Sequence, residues 1–206
     1  MKKKYNFFIF DLDGVIFDSK ENMFFSWNAT KKKFKLKPTF ASYFKNIGKP
    51  FDEIMKSINI KPNNRITKCY KDNSLKHIKK VKLYSNVRKI LQILNRRNIK
   101  FSIVTSKDIT RTKFLLNKFK IYPHSIHCPR KNILGKPNPK MLFSAIKKNR
   151  LNDLKSCYVG DTHIDQQEAK NAGIDFILAK YGYGNKKFRK NQSSIKSFKD
   201  LKSYIM

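Results

Sequence analysis

The chain has 206 residues, 47 of them Lys or Arg against 14 Asp or Glu, giving a formal net charge of +33, while hydrophobic residues make up 40% of it. Seventeen Phe and nine Tyr exclude a charged disordered tail, because such tails lack the apolar side chains needed to bury a core. The length suits one large domain, or a core domain with a modest insertion.

The basic residues are 39 Lys and only 8 Arg, alongside 19 Asn. Proteins that read base edges lean on Arg, whose planar fork matches guanine and phosphate. Lys and Asn share A-rich codons, so this balance points to AT-rich coding and to no specific nucleic-acid partner. A basic polyanion-binding protein is the reading that charge alone would support. The Lys residues run along the whole chain and place a positive potential around whatever site it holds.

At the N-terminus, Lys2, Lys3 and Lys4 precede an apolar stretch, but Asp11 ends it after Phe10. That is too short for a secretory signal or a membrane span, and no run of 18 apolar residues follows elsewhere. The expectation is a soluble, cytoplasmic protein with no membrane partner, a monomer or homodimer. Cys69, Cys128 and Cys157 are odd in number and far apart, and read as reduced thiols. His124, His127 and Cys128 lie close in sequence but lack an evident fourth ligand for a metal.

Phe7-Phe8-Ile9-Phe10 is short, continuously apolar and followed at once by a polar turn, the signature of a buried parallel strand. Residues 18–80 then show no convincing strand. Met23, Phe24 and Trp27, and Phe51, Ile54, Met55 and Ile58, fall at helical spacing between Pro38, Gly48-Lys49-Pro50 and Pro62, so this stretch reads as a helical insertion acting as a lid. Trp27 and Phe24 are expected in the core of that insertion. Beyond it, Val87, Ile90, Leu91 and Leu94 predict a helix, and Phe101-Ser102-Ile103-Val104 a strand ending at Thr105-Ser106. Phe114, Leu115 and Phe119 predict a further helix, as do Met141, Leu142, Ala145 and Ile146. Cys157-Tyr158-Val159 predicts a strand ending at Gly160-Asp161, and Phe176-Ile177-Leu178 another. Strands alternating with helices define an α/β fold, a doubly wound (Rossmann-like) parallel sheet core with an inserted α-helical cap. The core is expected over 1–17 and 81–206 and the cap over 18–80. In such folds ligands bind beyond the carboxyl ends of the strands.

The polar motifs all fall at those ends. Asp11 and Asp13 follow the first strand, Thr105 and Ser106 another, and Asp161 and Asp165 a third, with Lys136 in a Gly-Lys-Pro turn. Phosphoryl transfer needs a nucleophile, charge neutralisation on the transferring oxygens and a proton donor for the leaving group. Asp11 can attack phosphorus to form an aspartyl-phosphate, and Asp13 can protonate the leaving alcohol and later deprotonate water. Thr105-Ser106 offers hydroxyls and backbone N–H groups to phosphate oxygens, and Lys136 a compact positive charge. The carboxylates of Asp11, Asp161 and Asp165 would repel one another without a hard dication between them, and Mg²⁺ suits oxygen ligands and phosphate.

FDLDGVIFDS, IVTS, GKPNP and VGDTHID resemble, in order, the four motifs of the haloacid dehalogenase-like phosphatases. The resemblance implies that Asp11 is the nucleophile, and that Asp13 is both the general acid/base and a metal ligand through its backbone carbonyl. It further implies that Asp161 is a carboxylate ligand of Mg²⁺, that Thr105 or Ser106 and Lys136 contact phosphate, and that Asp165 supports the metal or Lys136. The acidic residue at Asp13 separates this chain from the dehalogenase branch. IGKPFDEI and FILAKYGYG resemble the phosphoglycolate phosphatase and β-phosphoglucomutase branch, which implies a cap loop around Gly48 and Lys49 that helps choose the substrate. The function implied is a Mg-dependent phosphatase acting on a small phosphorylated metabolite, of phosphoglycolate or sugar phosphate type. A phosphomutase of the β-phosphoglucomutase type is the alternative.

Overall fold

The computed structural model describes residues 3–130, 134–149, 155–184, 188 and 192–206; the expected core segments 1–17 and 81–206 include stretches outside these. Strands β1 (Phe7–Phe10), β4 (Lys100–Val104), β5 (Ser125–His127), β6 (Ser156–Gly160), β7 (Asp175–Ala179) and β8 (Ser194–Ile195) form one sheet in the order β5-β4-β1-β6-β7-β8. Every pairing in it is parallel. Helices α5 (Val87–Arg96), α6 (Ile109–Lys118), α7 (Lys140–Asn149) and α8 (His163–Ala172) cover its faces. The doubly wound α/β architecture is therefore present.

The first strand shows why its sequence is apolar at every position. Side chains alternate across a strand, and Phe8 and Phe10 pack into the cluster containing Val87, Ile90, Leu94 and Phe198. Phe7 and Ile9 pack on the opposite face with Met141, Leu142, Ala145 and Tyr158. A strand central to a sheet covered on both sides leaves no position facing water.

Between β1 and β4 the chain forms α1 (Lys20–Phe34), α2 (Phe40–Phe44), α3 (Phe51–Ser57) and α4 (Asn64–Lys76). These helices hold their own apolar cluster around Trp27, Tyr43, Ile54, Met55 and Tyr70. Two short strands that the sequence reading missed, β2 (Phe17–Asp18) and β3 (Lys82–Leu83), pair antiparallel at the base of this unit. Each is two residues long, too short for any periodicity to show.

Two packing expectations are corrected. Trp27 is fully buried, but Phe24 is 43% exposed and packs edge-on against Phe25 and Phe40 at the surface. Likewise Phe114 faces outward while Leu115 and Leu116 are buried, because α6 turns its Leu pair toward the sheet. No helix among the described residues is long and apolar enough to cross a membrane. All three cysteines are free and buried.

Candidate active site

Asp11 lies one residue beyond β1, Thr105 one beyond β4 and Asp161 one beyond β6. Because these three strands are adjacent and parallel, their ends bring the three motifs to one edge. After β1 the chain turns sharply: Phe17 N–H donates to Leu12 O and Gly14 N–H donates to Phe17 O. Gly14 takes φ +89°, and a Cβ there would lie 2.1 Å from Asp161 Oδ2. Only glycine serves at this position, on both counts.

Asp11, Asp161 and Asp165 offer oxygens within 4.8 Å of one another, all buried. Lys136 Nζ reaches into this cluster, 2.6 Å from Asp11 Oδ1 and 2.7 Å from Asp165 Oδ1. Burial and the neighbouring carboxylates raise Asp11 to about 7, against the lowering effect of Lys136. Burial, reinforced by Asp165 and Asp11, pushes Asp161 well above the usual carboxylate range. Asp165 goes the other way: burial would raise it, but the Lys136 charge and hydrogen bonds from Lys136 and Thr162 hold it below its ordinary value.

The three carboxylates differ in what they have left to offer. Asp165 is saturated. Its Oδ1 accepts from Lys136 and from the Tyr158 hydroxyl, while Oδ2 accepts from the Thr162 hydroxyl at 2.6 Å and the Thr162 and Asp161 N–H groups. Thr162 and Asp165 also form the capping box of α8, so Asp165 is held by the helix start it stabilises. Asp161 Oδ2 accepts from Tyr183 N–H at 2.6 Å, yet its buried Oδ1 has no hydrogen-bond partner. A buried carboxylate oxygen without a partner is costly, and an oxygen-seeking dication would satisfy it. Gly182 closes the same cradle, since a Cβ there would fall 2.4 Å from Asp161 Cβ and 2.6 Å from Asp161 Oδ2. The donor set fits Mg²⁺, with Asp11 and Asp161 as the available carboxylates and Asp165 as their support.

Asp13 stands apart from this cluster and faces a cavity of about 50 Å³ between the sheet edge and the inserted helices, which Asp11 and Thr105 also line. Its Oδ2 pairs with Lys107 Nζ at 2.9 Å and its Oδ1 accepts from the Ser19 hydroxyl at 2.5 Å. Ser19 is in turn fixed by Tyr183, whose hydroxyl accepts from Ser19 N–H. Of the expected phosphate contacts, Thr105 lines the cavity and is buried. The Ser106 hydroxyl donates instead to the Gly48 carbonyl at 2.6 Å and so ties core to insertion. Lys49 lines the cavity too, but its ammonium is turned back onto Asn46 Oδ1 and Ser57 Oγ.

Several site residues escaped the sequence reading. Lys107, Arg111 and Tyr158 carry no motif, Ser19 and Tyr183 lie within FDLDGVIFDS and FILAKYGYG without being singled out there, and in a chain with 39 Lys a single lysine after Ser106 gives no signal. Glu168 is the least expected. It is fully buried one turn along α8 from Asp165, both its oxygens lack partners, and burial drives its pKa up to about 8 against the lowering effect of Lys136. His127, by contrast, lines a separate cavity with Lys113, Arg130 and Lys148. Burial, with Arg130 and Lys148, pushes it down to about 4.

Residues 8–179 match the family described as haloacid dehalogenase-like hydrolase. The chain is 28% identical over 178 residues to a putative pyrophosphatase PpaX from Clostridium perfringens, covering 84% of this chain and 83% of that protein. It is 28% identical over 130 residues to a phosphoglycolate phosphatase from Pseudomonas fluorescens, covering 60% of this chain but 46% of that longer protein. In fold it resembles a putative phosphoglycolate phosphatase from Lactobacillus plantarum, with TM-score 0.85 at 18% identity over 98% of this chain and all of the other. CbbY from Rhodobacter sphaeroides, solved with phosphate, gives 0.82 at 15% identity over 96% of both chains. The chain belongs to the haloacid dehalogenase-like hydrolase family.

Proposed function

We propose that the chain is a Mg²⁺-dependent phosphatase that hydrolyses a small phosphorylated metabolite through an aspartyl-phosphate on Asp11. The observation that carries this reading is the division of labour between two carboxylates two residues apart. Asp11 sits in the buried cluster beside Lys136, while Asp13 faces the cavity and is held by Lys107 and Ser19.

In the proposed reaction an oxygen of Asp11 attacks phosphorus and the bond to the leaving oxygen breaks, with Asp13 giving that oxygen its proton. Asp13, now ionised, then takes a proton from water as the water attacks the aspartyl-phosphate. This releases phosphate and returns Asp11. Thr105 and Lys136 hold the phosphoryl oxygens. Asp11 and Asp161, with the Asp13 carbonyl, would hold Mg²⁺, which when bound would neutralise charge on those oxygens. Asp165 and Tyr158 fix Lys136 so that its charge needs no reorganisation.

The insertion, with the Gly48 carbonyl locked to Ser106, acts as a cap over 18–80 that limits substrate size and excludes water. The phosphomutase alternative uses the same residues but passes the phosphoryl group to a sugar. Mg²⁺-dependent release of phosphate from p-nitrophenyl phosphate, abolished by Asp11→Asn, tests the proposal. Activity that survives in Asp11→Asn, or none in the native chain, overturns it.

A further inference from the structure

Apart from the catalytic cluster and its immediate partners, one strongly basic side chain is buried at the site with no role in phosphoryl transfer. Arg111, on α6, is 6% exposed and lines the small catalytic cavity together with Asp13 and Thr105. It also lines the wider cleft of about 790 Å³ that runs outward between insertion and core past Phe51, Asp108 and Lys136. Arg111 therefore stands where a substrate would extend away from the phosphoryl position.

Its guanidinium is held in advance. Asp108 Oδ2 accepts from Nε at 2.6 Å, Asp108 Oδ1 accepts from the Arg111 backbone N–H, and the fork lies over the Tyr70 ring, 5.4 Å from its centroid. Asp108 engages one of the five N–H donors that a guanidinium carries. The wall of the cavity formed by the inserted helices gives neutral groups little to bind. Met23 and Ile54 are apolar, and the Tyr43 hydroxyl is spent on Tyr70. Lys107 and Lys136 are each matched to a carboxylate of the reaction centre. A rigid cation with donors to spare beside these apolar walls discriminates, because a neutral substrate leaves the donors that Asp108 does not engage desolvated and unanswered.

We propose that Arg111 is the specificity-determining residue of this site and binds a second anionic group on the substrate. Preferred substrates are then small phosphate esters or anhydrides that carry a carboxylate or a second phosphoryl group. The inference rests on the phosphatase reading and places selection on the core helix α6 rather than on Lys49 of the cap loop, whose ammonium is turned away.

The test compares kcat/KM in Mg²⁺ for 2-phosphoglycolate, for pyrophosphate and for 2-hydroxyethyl phosphate, the uncharged counterpart of the first, with p-nitrophenyl phosphate as a general substrate. The native chain should favour one or both anion-bearing substrates over 2-hydroxyethyl phosphate by roughly 10–100-fold. Arg111→Met should reduce that ratio to within about threefold, and Arg111→Lys should keep part of it, since Lys retains the charge but not the fork. Whichever ratio collapses identifies the anion as carboxylate or phosphoryl. Hydrolysis of p-nitrophenyl phosphate with no preference among the other three overturns the proposal, as does a preference that persists in Arg111→Met or stays undiminished in Arg111→Lys. Should Arg111→Met fail to fold, the native preference and the Arg111→Lys ratio decide. Failure to hydrolyse any of the four compounds overturns the phosphatase reading instead.

Discussion

Lys136 Nζ and Asp11 Oδ1 lie 2.6 Å apart across a sequence separation of 125 residues, in a buried contact that Asp165 shares from the other side. Removing the cation would leave two buried carboxylates facing each other. Lys136→Ala should therefore destabilise the chain by about 3–5 kcal/mol and lower kcat/KM by more than about 10²-fold. Lys136→Arg should recover stability better than activity, because a planar fork cannot occupy the place of a compact ammonium. Denaturant titration and steady-state kinetics check the two halves separately.

In the proposed reaction Asp13 moves the proton, and its loss should be visible in which step stalls. With p-nitrophenyl phosphate the leaving group departs without a proton, so Asp13→Asn should release about one equivalent of p-nitrophenolate in a burst. Turnover should then slow by about 10²–10⁴-fold, since water is no longer deprotonated. Rapid-mixing absorbance records both phases. Linear turnover at the native rate would contradict the role.

The cradle around Asp161 leaves no room for a methyl group at Gly182, where a Cβ would meet Asp161 Oδ2 at 2.6 Å and Gly14 O at 2.4 Å. Gly182→Ala should raise the Mg²⁺ concentration needed for half activation by about 10–100-fold while far-UV circular dichroism stays native. Calorimetric Mg²⁺ titration gives an independent reading. Unchanged activation would show that this carboxylate does not hold the ion.

Glu168 links the site to stability through pH. Its folded pKa is raised from 4.5 to about 8, so between these values the folded chain holds a proton that the unfolded chain has lost. The stability contribution of the protonated form is fully present below about pH 4.5 and disappears as pH rises through about 8. In EDTA, the native chain should lose stability relative to Glu168→Gln between pH 5 and 8. The variant should be more stable at pH 8 by on the order of 1–3 kcal/mol. A difference that does not change with pH would show that Glu168 is ionised throughout.

Much of the site was legible because its motifs are short and local. Asp11 follows the wholly apolar Phe7–Phe10, and Thr105 and Asp161 follow KFSIV and SCYVG, largely apolar and buried over their last four positions, as a parallel strand covered on both faces requires. Lys136 was legible from its Gly-Lys-Pro turn. The partners of these residues were not. Lys107, Tyr158 and Glu168 have no characteristic spacing, and they matter only because α8 and the strand ends converge on one point. Ser106 shows the same limit from the other side: its motif suggested phosphate, while its hydroxyl bonds the Gly48 carbonyl, a contact set by how the insertion docks.

The sequence by itself determined the alternation of strands and helices and the order of the four polar motifs. Each of these is written in local periodicity and in residue type at a strand end. Only the tertiary structure decided how charge is distributed among those motifs. Asp165 is saturated while Asp161 keeps an unpartnered oxygen, Asp13 is paired to Lys107, and Arg111 rather than Lys49 presents a buried cation where a substrate would extend. The physical reason is that burial and hydrogen-bond partnership set the character of an ionisable group, and both arise from segments distant in the chain.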